Sequence, residues 1–217
     1  MTSAGRTTAA VLVSGSGSNL QAFIDAVAAG TLDLDIRTVI SNRPDAGGLE
    51  RAQRAGIAAR CVPSAGCTDR AAYDGRLARE LDRYRPDLLL LAGFMRILGA
   101  EFVARYAGRI MNIHPSLLPR YPGLDTHARA LAAGDRWHGC TVHFVTAELD
   151  GGPRIVQGRV PVRADDDAAT LAARVLAMEH RIYPYAAGLY AAGRLECRNG
   201  ECRLDGRPLA EPLAFGD

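Results

Sequence analysis

The stretch Thr8-Ala9-Ala10-Val11-Leu12-Val13-Ser14-Gly15-Ser16-Gly17-Ser18-Asn19-Leu20-Gln21-Ala22-Phe23-Ile24-Asp25-Ala26-Val27 decides the fold class. Thr8 to Val13 is a short, almost wholly apolar run of the kind that forms a buried strand. Ser14 to Ser18 is made of turn formers. Leu20, Phe23, Ile24 and Val27 then recur at offsets of three, four and seven, which puts them on one helix face, and Gly30 is the stop signal.

The same alternation continues outward. Residues 36–41 read as a second strand, 42–45 as a loop, and 46–55 as a short helix ended by Gly56. Residues 58–62 form a third strand, and Tyr73, Leu77, Leu81 and Tyr84 place a helix before Pro86. Residues 87–92, carrying four consecutive leucines, are a strand covered on both faces. Phe102, Val103 and Tyr106 mark another helix before a strand that ends near Asn112. Strands alternating with helices predict right-handed crossovers and an α/β, doubly wound, mostly parallel sheet. After Pro122 the pattern changes. Residues 139–146 and 155–162 are expected to be antiparallel strands flanking Asp150, with Val160-Pro161-Val162 at a sheet edge. Asp165 to Asp167 open a long helix through Leu171, Val175, Met178 and Ile182 towards Tyr183-Pro184, and the three carboxylates suit its positive end. There is no repeat or linker, so residues 1–217 read as one domain.

Composition narrows the function. The chain has 217 residues, a net charge of +2 and no basic block, so nothing favours nucleic acid or a membrane surface. No apolar run approaches the roughly 20 residues of a membrane span, and no signal-peptide core is present; a cytoplasmic protein is expected. All 26 basic residues are Arg, which excludes Schiff-base chemistry and the phosphate-loop lysine. Cys61, Cys67, Cys140, Cys197 and Cys202 form no Cys-x-x-Cys pair. Residues 195–204 are nearly symmetric about Asn199-Gly200, a hairpin signal that would set Cys197 opposite Cys202 with Cα atoms about 4.5 Å apart. The histidines lack zinc-ligand spacing, so no metal is expected, and His138 and His143 read as structural or supporting groups.

Two segments carry chemistry. In Asn112-Ile113-His114-Pro115-Ser116-Leu117-Leu118-Pro119, Asn112 and His114 are two apart on a strand and so share a face. Leu149-Asp150-Gly151-Gly152-Pro153 can bring a carboxylate to the imidazole. A donor for an oxyanion, a proton carrier and an orienting carboxylate suit attack on a carbonyl carbon; the plain alternative is a satisfied buried polar network. The glycine turn is neither a dinucleotide fingerprint, since Leu20 stands at the third glycine position, nor a lysine-bearing phosphate loop. It reads either as an anion cradle made by the amides of Gly17, Ser18 and Asn19, or as a tight turn with Ser18 or Asn19 as helix cap.

Residues 11–21, 92–98, 112–123 and 139–153 together resemble the folate-dependent phosphoribosylglycinamide formyltransferases of purine synthesis, in register from about Val11 to Pro184. The resemblance implies a Rossmann-like formyltransferase fold and formyl transfer from 10-formyltetrahydrofolate to the amine of glycinamide ribonucleotide. It implies a nucleotide-binding half at about 8–114, a folate and catalytic half at 115–192, and a C-terminal hairpin and tail at 193–217. It assigns oxyanion donation to Asn112, oxyanion stabilisation and proton transfer to His114, and orientation of His114 and proton relay to Asp150. It gives the ribonucleotide phosphate to Gly17, Ser18 and Asn19 and its other end to Glu179. The folate falls to Arg70, Met95, Arg96, Ile97 and Leu98, with Arg96 folding back structurally, and to Asn112, Val145 and Asp150. Small-molecule substrates are the implied partners, with the chain a monomer or homodimer. Leu176 stands where some members carry a polar phosphate contact, and Asp125 where a His is frequent. The His-Pro-Ser-Leu-Leu-Pro core is shared with two relatives. Methionyl-tRNA formyltransferase carries a further C-terminal domain, for which the residues after Pro184 are too few. A formyltetrahydrofolate hydrolase remains the alternative within the chemistry, and a non-catalytic nucleotide-binding module the alternative outside it.

Overall fold

The computed structural model describes residues 5–215. In chain order it contains β1 (Thr7–Val13), α1 (Ser18–Ala28), β2 (Leu34–Ser41), α2 (Gly47–Arg54), β3 (Ala58–Cys61), α3 (Arg70–Asp82), β4 (Leu88–Leu91), α4 (Ala100–Arg105) and β5 (Ile110–His114). There follow α5 (Thr126–Ala132), β6 (Trp137–Phe144), β7 (Arg154–Pro161), α6 (Ala168–Ala191), β8 (Leu195–Arg198), β9 (Glu201–Leu204), β10 (Arg207–Pro208) and β11 (Leu213–Phe215).

Alternation along the central strands builds two cores. Ala9, Val11 and Val13 of β1, with Leu88 and Leu90 of β4, face α1, α2 and α6. Ala10, Leu12, Leu89 and Leu91 face α3 and α4, where Tyr73, Leu77, Leu81, Phe102 and Val103 are buried. A strand covered on both sides therefore has no polar positions, which is why β4 is four leucines. The main sheet has the order β11-β7-β6-β5-β4-β1-β2-β3. Its pairings from β5 through to β3 are parallel, and β6 is antiparallel to both β5 and β7. The chain reverses its direction of winding between β1 and β4, and a doubly wound sheet opens its ligand crevice at the carboxyl ends of those two strands.

Several expectations need correction. Helix α5 was not expected; it is short, and Thr126 and Ala130 are its only buried residues. Helix α6 does not stop at Pro184 but runs on to Ala191. Proline removes one backbone bond, while Ile182, Tyr183, Ala186 and Ala187 on that stretch are completely buried. The Tyr183 hydroxyl lies 2.9 Å from the carbonyl oxygen of Met111 and 3.1 Å from that of Leu91, so burial holds the helix together past the proline. β7 is not an outer strand, because β11 pairs with it in parallel over Val156–Gly158. Pro161 lies beyond that pairing, where its missing N–H costs nothing.

The Asn199-Gly200 turn forms with both residues at positive φ, and Cys197 pairs opposite Cys202 as free thiols. This hairpin belongs, with β10, to a separate three-stranded sheet. The acidic run at the start of α6 is structural. Asp167 closes a capping box with Thr170, and Asp166 pairs with Arg174 at 2.7 Å. Hydrogen bonds from Arg174 and the Arg163 amide hold the Asp166 carboxyl well below the usual range. No helix among the described residues is long and apolar enough to cross a membrane.

Candidate active site

The glycine turn follows β1 at the crevice. Gly17 is the N-cap of α1 at φ +73°, and no side chain caps the helix. The reading of Ser18 or Asn19 as the cap therefore fails, and the leading amides of α1 are left free of side-chain partners, the arrangement that attracts an anion. The turn is buttressed from α2. A Cβ on Gly17 would lie 2.5 Å from the Gly48 Cα. The Gly48 amide donates to the Gly15 carbonyl at 3.1 Å, and Arg51 donates to the Ser16 carbonyl at 2.8 Å and to Gln21 at 3.0 Å. Sequence reasoning missed Gly48 and Arg51; the paired glycines after Ala46 were the available signal.

Glu179, from the far end of the chain, reaches this turn. Asn19 Nδ2 donates to Glu179 Oε2 at 2.7 Å, and both residues are buried. Burial pushes the Glu179 carboxyl up to about 6, against the pull of the Asn19 bond. Leu176, one turn earlier, is half-buried.

On the other side of the crevice lies the loop after β4. Ser14 ties it to the turn: its amide donates to the Gly93 carbonyl at 3.1 Å, and its hydroxyl accepts from the Met95 amide at 2.8 Å. Met95 and Ile97 project outward, 71% and 54% exposed, while Leu98 is buried. Exposed apolar side chains beside a crevice are the surface an apolar ligand ring would cover. Arg96 does fold back: its guanidinium lies 4.3 Å from the centre of the Tyr73 ring. Arg70 is exposed at the start of α3, with its stem beside Gly99, and the Gly99 amide donates to Asp74 at 2.7 Å. Val145 sits half-buried at the end of β6, its amide bonded to the Ile110 carbonyl.

Between these two walls, β5 delivers Asn112 and His114 on one face. His114 Nε2 donates to the Tyr121 carbonyl at 2.8 Å, and Nδ1 lies 3.4 Å from Asp150 Oδ2. Both side chains are more than nine-tenths buried. Asp150 adopts φ +52° and also accepts from the Gly123 amide at 2.9 Å. Of the two glycines after it, Gly152 is required by contact, since a Cβ there would strike the Phe144 carbonyl, while one on Gly151 would meet the movable end of the Glu148 side chain. Asn112 Nδ2 lies 3.2 Å from His143 Nε2, and His143 Nε2 lies 3.8 Å from Asp150 Oδ1. His114 and Asp150 meet directly, and His143, expected only as support, stands between Asn112 and Asp150.

The segment after β5 forms the outer rim and is held by side chains. Thr141 donates to the Ser116 carbonyl and accepts from the Leu118 amide, Gln157 donates to the Leu118 carbonyl, and Tyr121 donates to Asp135 at 2.8 Å. Asp125, at φ +56°, occupies the N-cap position of α5 without a side-chain cap bond. Thr126 donates to the Pro115 carbonyl at 2.6 Å. His127 Nδ1 and His138 Nε2 are 3.2 Å apart, and burial pushes His138 down to about 4. No group of three or more His, Cys, Asp and Glu among the described residues is arranged to hold a metal.

Residues 7–187 match the formyl transferase family. Phosphoribosylglycinamide formyltransferase of Escherichia coli K12 is 53% identical over 92% of this chain and 94% of its own length. The solved structure of the enzyme of that name from Coxiella burnetii superposes with a TM-score of 0.93 at 50% identity, covering 97% of this chain and 99% of the other. A formyltetrahydrofolate deformylase from Pseudomonas syringae shares the fold at a TM-score of 0.85, with 25% identity over 93% of this chain and 66% of its own. The chain belongs to the formyl transferase family, among its phosphoribosylglycinamide formyltransferases.

Proposed function

We propose that this enzyme moves the formyl group of 10-formyltetrahydrofolate onto the amine of glycinamide ribonucleotide, with Asn112, His114 and Asp150 as the groups at the reacting carbon. The meeting of those three between the glycine turn and the Met95–Leu98 loop carries the reading. The amine lone pair attacks the formyl carbon, and the carbonyl π pair moves onto oxygen. Asn112 donates to that oxyanion, a contact that strengthens only as charge develops. His114 takes part in the proton transfers through Nδ1, which faces Asp150 while Nε2–H is held by the Tyr121 carbonyl, and the ring so protonated stabilises the oxyanion by its charge. The attacking amine gives up its proton through Asp150. The oxyanion pair then re-forms the carbonyl as the C–N10 bond breaks, N10 takes the proton that the amine passed to the His114–Asp150 pair, and tetrahydrofolate leaves.

The phosphate of the ribonucleotide lies on the amides of Gly17, Ser18 and Asn19, with Glu179 at its other end. The folate lies against Met95, Ile97, Leu98 and Val145, with the Arg96 backbone and Arg70 alongside. The chain acts as one domain in which the Asn19–Glu179 bond ties the two halves together.

The test is turnover of 10-formyltetrahydrofolate by purified protein with and without glycinamide ribonucleotide, followed as tetrahydrofolate formed. Product that requires the ribonucleotide is expected. Product formed equally without it would make the chain a hydrolase, and no product would reduce it to a binding module.

A further inference from the structure

His143 stands opposite Asn112 in the β5–β6 pairing and is 2% exposed. Its Nδ1 lies 2.9 Å from the Phe144 carbonyl oxygen. A carbonyl oxygen offers no proton, so Nδ1 carries the hydrogen of that bond. In a neutral ring Nε2 is then a lone pair and can only accept. Asn112 must therefore turn its NH2 end towards the ring; the reverse orientation would face the amide oxygen against the Nε2 lone pair. Burial holds the ring below the usual histidine range, against the opposing pull of the Phe144 carbonyl and of Asp150, while neighbouring His114 acts in the same direction as burial. A doubly protonated ring would instead donate from Nε2 to the Asn112 oxygen and draw Asp150 away from His114.

The backbone sets this up. The β6–β7 register slips between Val142, which pairs with Val156, and His143, which pairs with Arg154. Irregularities of this kind re-aim side chains beside active sites. Immediately beyond the slip, the Phe144 carbonyl packs against Gly152, where any larger residue would displace it.

We propose that His143 is a positioning residue for formyl transfer: fixed as the Nδ1–H tautomer by the Phe144 carbonyl, it accepts one N–H of Asn112 and so aims the other at the formyl oxygen. This rests on Asn112 being the oxyanion donor. An amide has nearly the same shape either way round, so packing alone does not choose its orientation. A reversed Asn112 would present an oxygen to a developing negative charge. The effect belongs to the transition state and falls on kcat rather than KM.

The experiment compares His143→Leu with His143→Gln, whose side-chain oxygen can accept near the Nε2 position. His143→Leu is expected to lower kcat about tenfold or more, short of the roughly 10²–10³-fold loss from removing an oxyanion donor outright. KM for both substrates should stay within about twofold. His143→Gln should recover most of the rate. On 15N-labelled wild-type protein at neutral pH, Nε2 should give the resonance of an unprotonated nitrogen. The two Asn112 side-chain amide protons should be clearly inequivalent, one of them shifted by its bond to the ring and restored to its ordinary position in His143→Leu. A proton on Nε2, an unchanged kcat in His143→Leu, or equal losses in both variants would overturn the proposal. Should the leucine variant not fold, the tautomer and the glutamine variant decide. The resonances read the bond without turnover, so an error in the assigned reaction and an error about His143 give different results.

Discussion

The glycine turn and the outer rim of the crevice are built by opposite means. The glycine turn is held chiefly by backbone against backbone, Gly17 on Gly48 and the Gly48 amide on the Gly15 carbonyl, with Arg51 adding a side-chain bond to the Ser16 carbonyl. In the rim, residues 115–125 are held by the side chains of Ser116, Tyr121, Thr126, Thr141, Gln157 and Asp150. A backbone wall presents amides at fixed spacing and is sensitive at the few positions where a Cβ has no room. A side-chain wall can place acids, bases and donors around a carbon, and each of those groups is a separate point of failure.

The largest effect should come from the side-chain wall. Asp150→Asn keeps an oxygen for the Gly123 amide but removes the charge facing His114. It should cost three or more orders of magnitude in kcat/KM while leaving the melting temperature within a few degrees, because residues acting as a unit fail together. Steady-state rates beside thermal unfolding check this. A large fall in melting temperature would mean that Asp150 holds up the segment instead of serving the reaction.

The glycine turn should respond the other way, in stability and affinity. Gly17→Ala sets a Cβ against Gly48 at a positive φ and should cost about 1–3 kcal/mol, from the left-handed strain and overpacking together. It should also shrink the stabilisation that glycinamide ribonucleotide confers. Gly15, two residues away, has nothing within 4 Å of an added Cβ and an ordinary φ, so Gly15→Ala should be nearly neutral in urea unfolding. Equal costs at the two positions would break the argument from backbone contact.

The smallest effect is a difference in sign with pH. Glu179 titrates at about 6 when folded, against 4.5 for the free group. Between those values the native state holds a proton that the unfolded chain has released, so this stabilisation is full below pH 4.5 and lost as pH rises through 6. The change is about 2 kcal/mol, and Glu179→Gln should remove it from a pH series of denaturant midpoints. His138, at about 4 rather than 6.5, acts oppositely: its contribution is present above 6.5 and lost as pH falls towards 4. Mild acid therefore tightens the Glu179 side and loosens the His138 side. A stability profile unchanged in Glu179→Gln would remove that distinction.

What could be seen in advance follows from the same contrast. The central strands and α1, α3 and α6 were legible because burial on two faces writes unbroken apolar runs and i, i+3, i+4 stripes. Asn112, His114 and Asp150 could be singled out because prolines follow the first two and glycines the third, Gly152 at a place where the Phe144 carbonyl leaves no room for a side chain. Helix α5 was not, because Thr126 and Ala130 are too few to make a stripe. The three-residue β11, with no buried side chain, offers no period at all. The stop expected at Pro184 failed because a fully buried Tyr183 and its neighbours outweigh one missing bond. Gly48 and Arg51 act across space on a turn more than 30 residues earlier, and the paired glycines after Ala46 are a local sign that does not say which segment they face. His143 looked like one of several scattered histidines, since its role depends on which residue faces it across two strands.

The pairing of β11 with β7 has a practical side. Leu213–Phe215 cover the outer backbone groups of Val156–Gly158. In a chain cut short before Leu213, those N–H and C=O groups would lie open along a strand whose Ile155, Val156 and Val160 point into the core. Such an edge is a template on which another copy can add a strand and start aggregation. Where the gene is trimmed for expression therefore decides solubility, and an insoluble shortened protein would say nothing about the chemistry some distance away at Asn112.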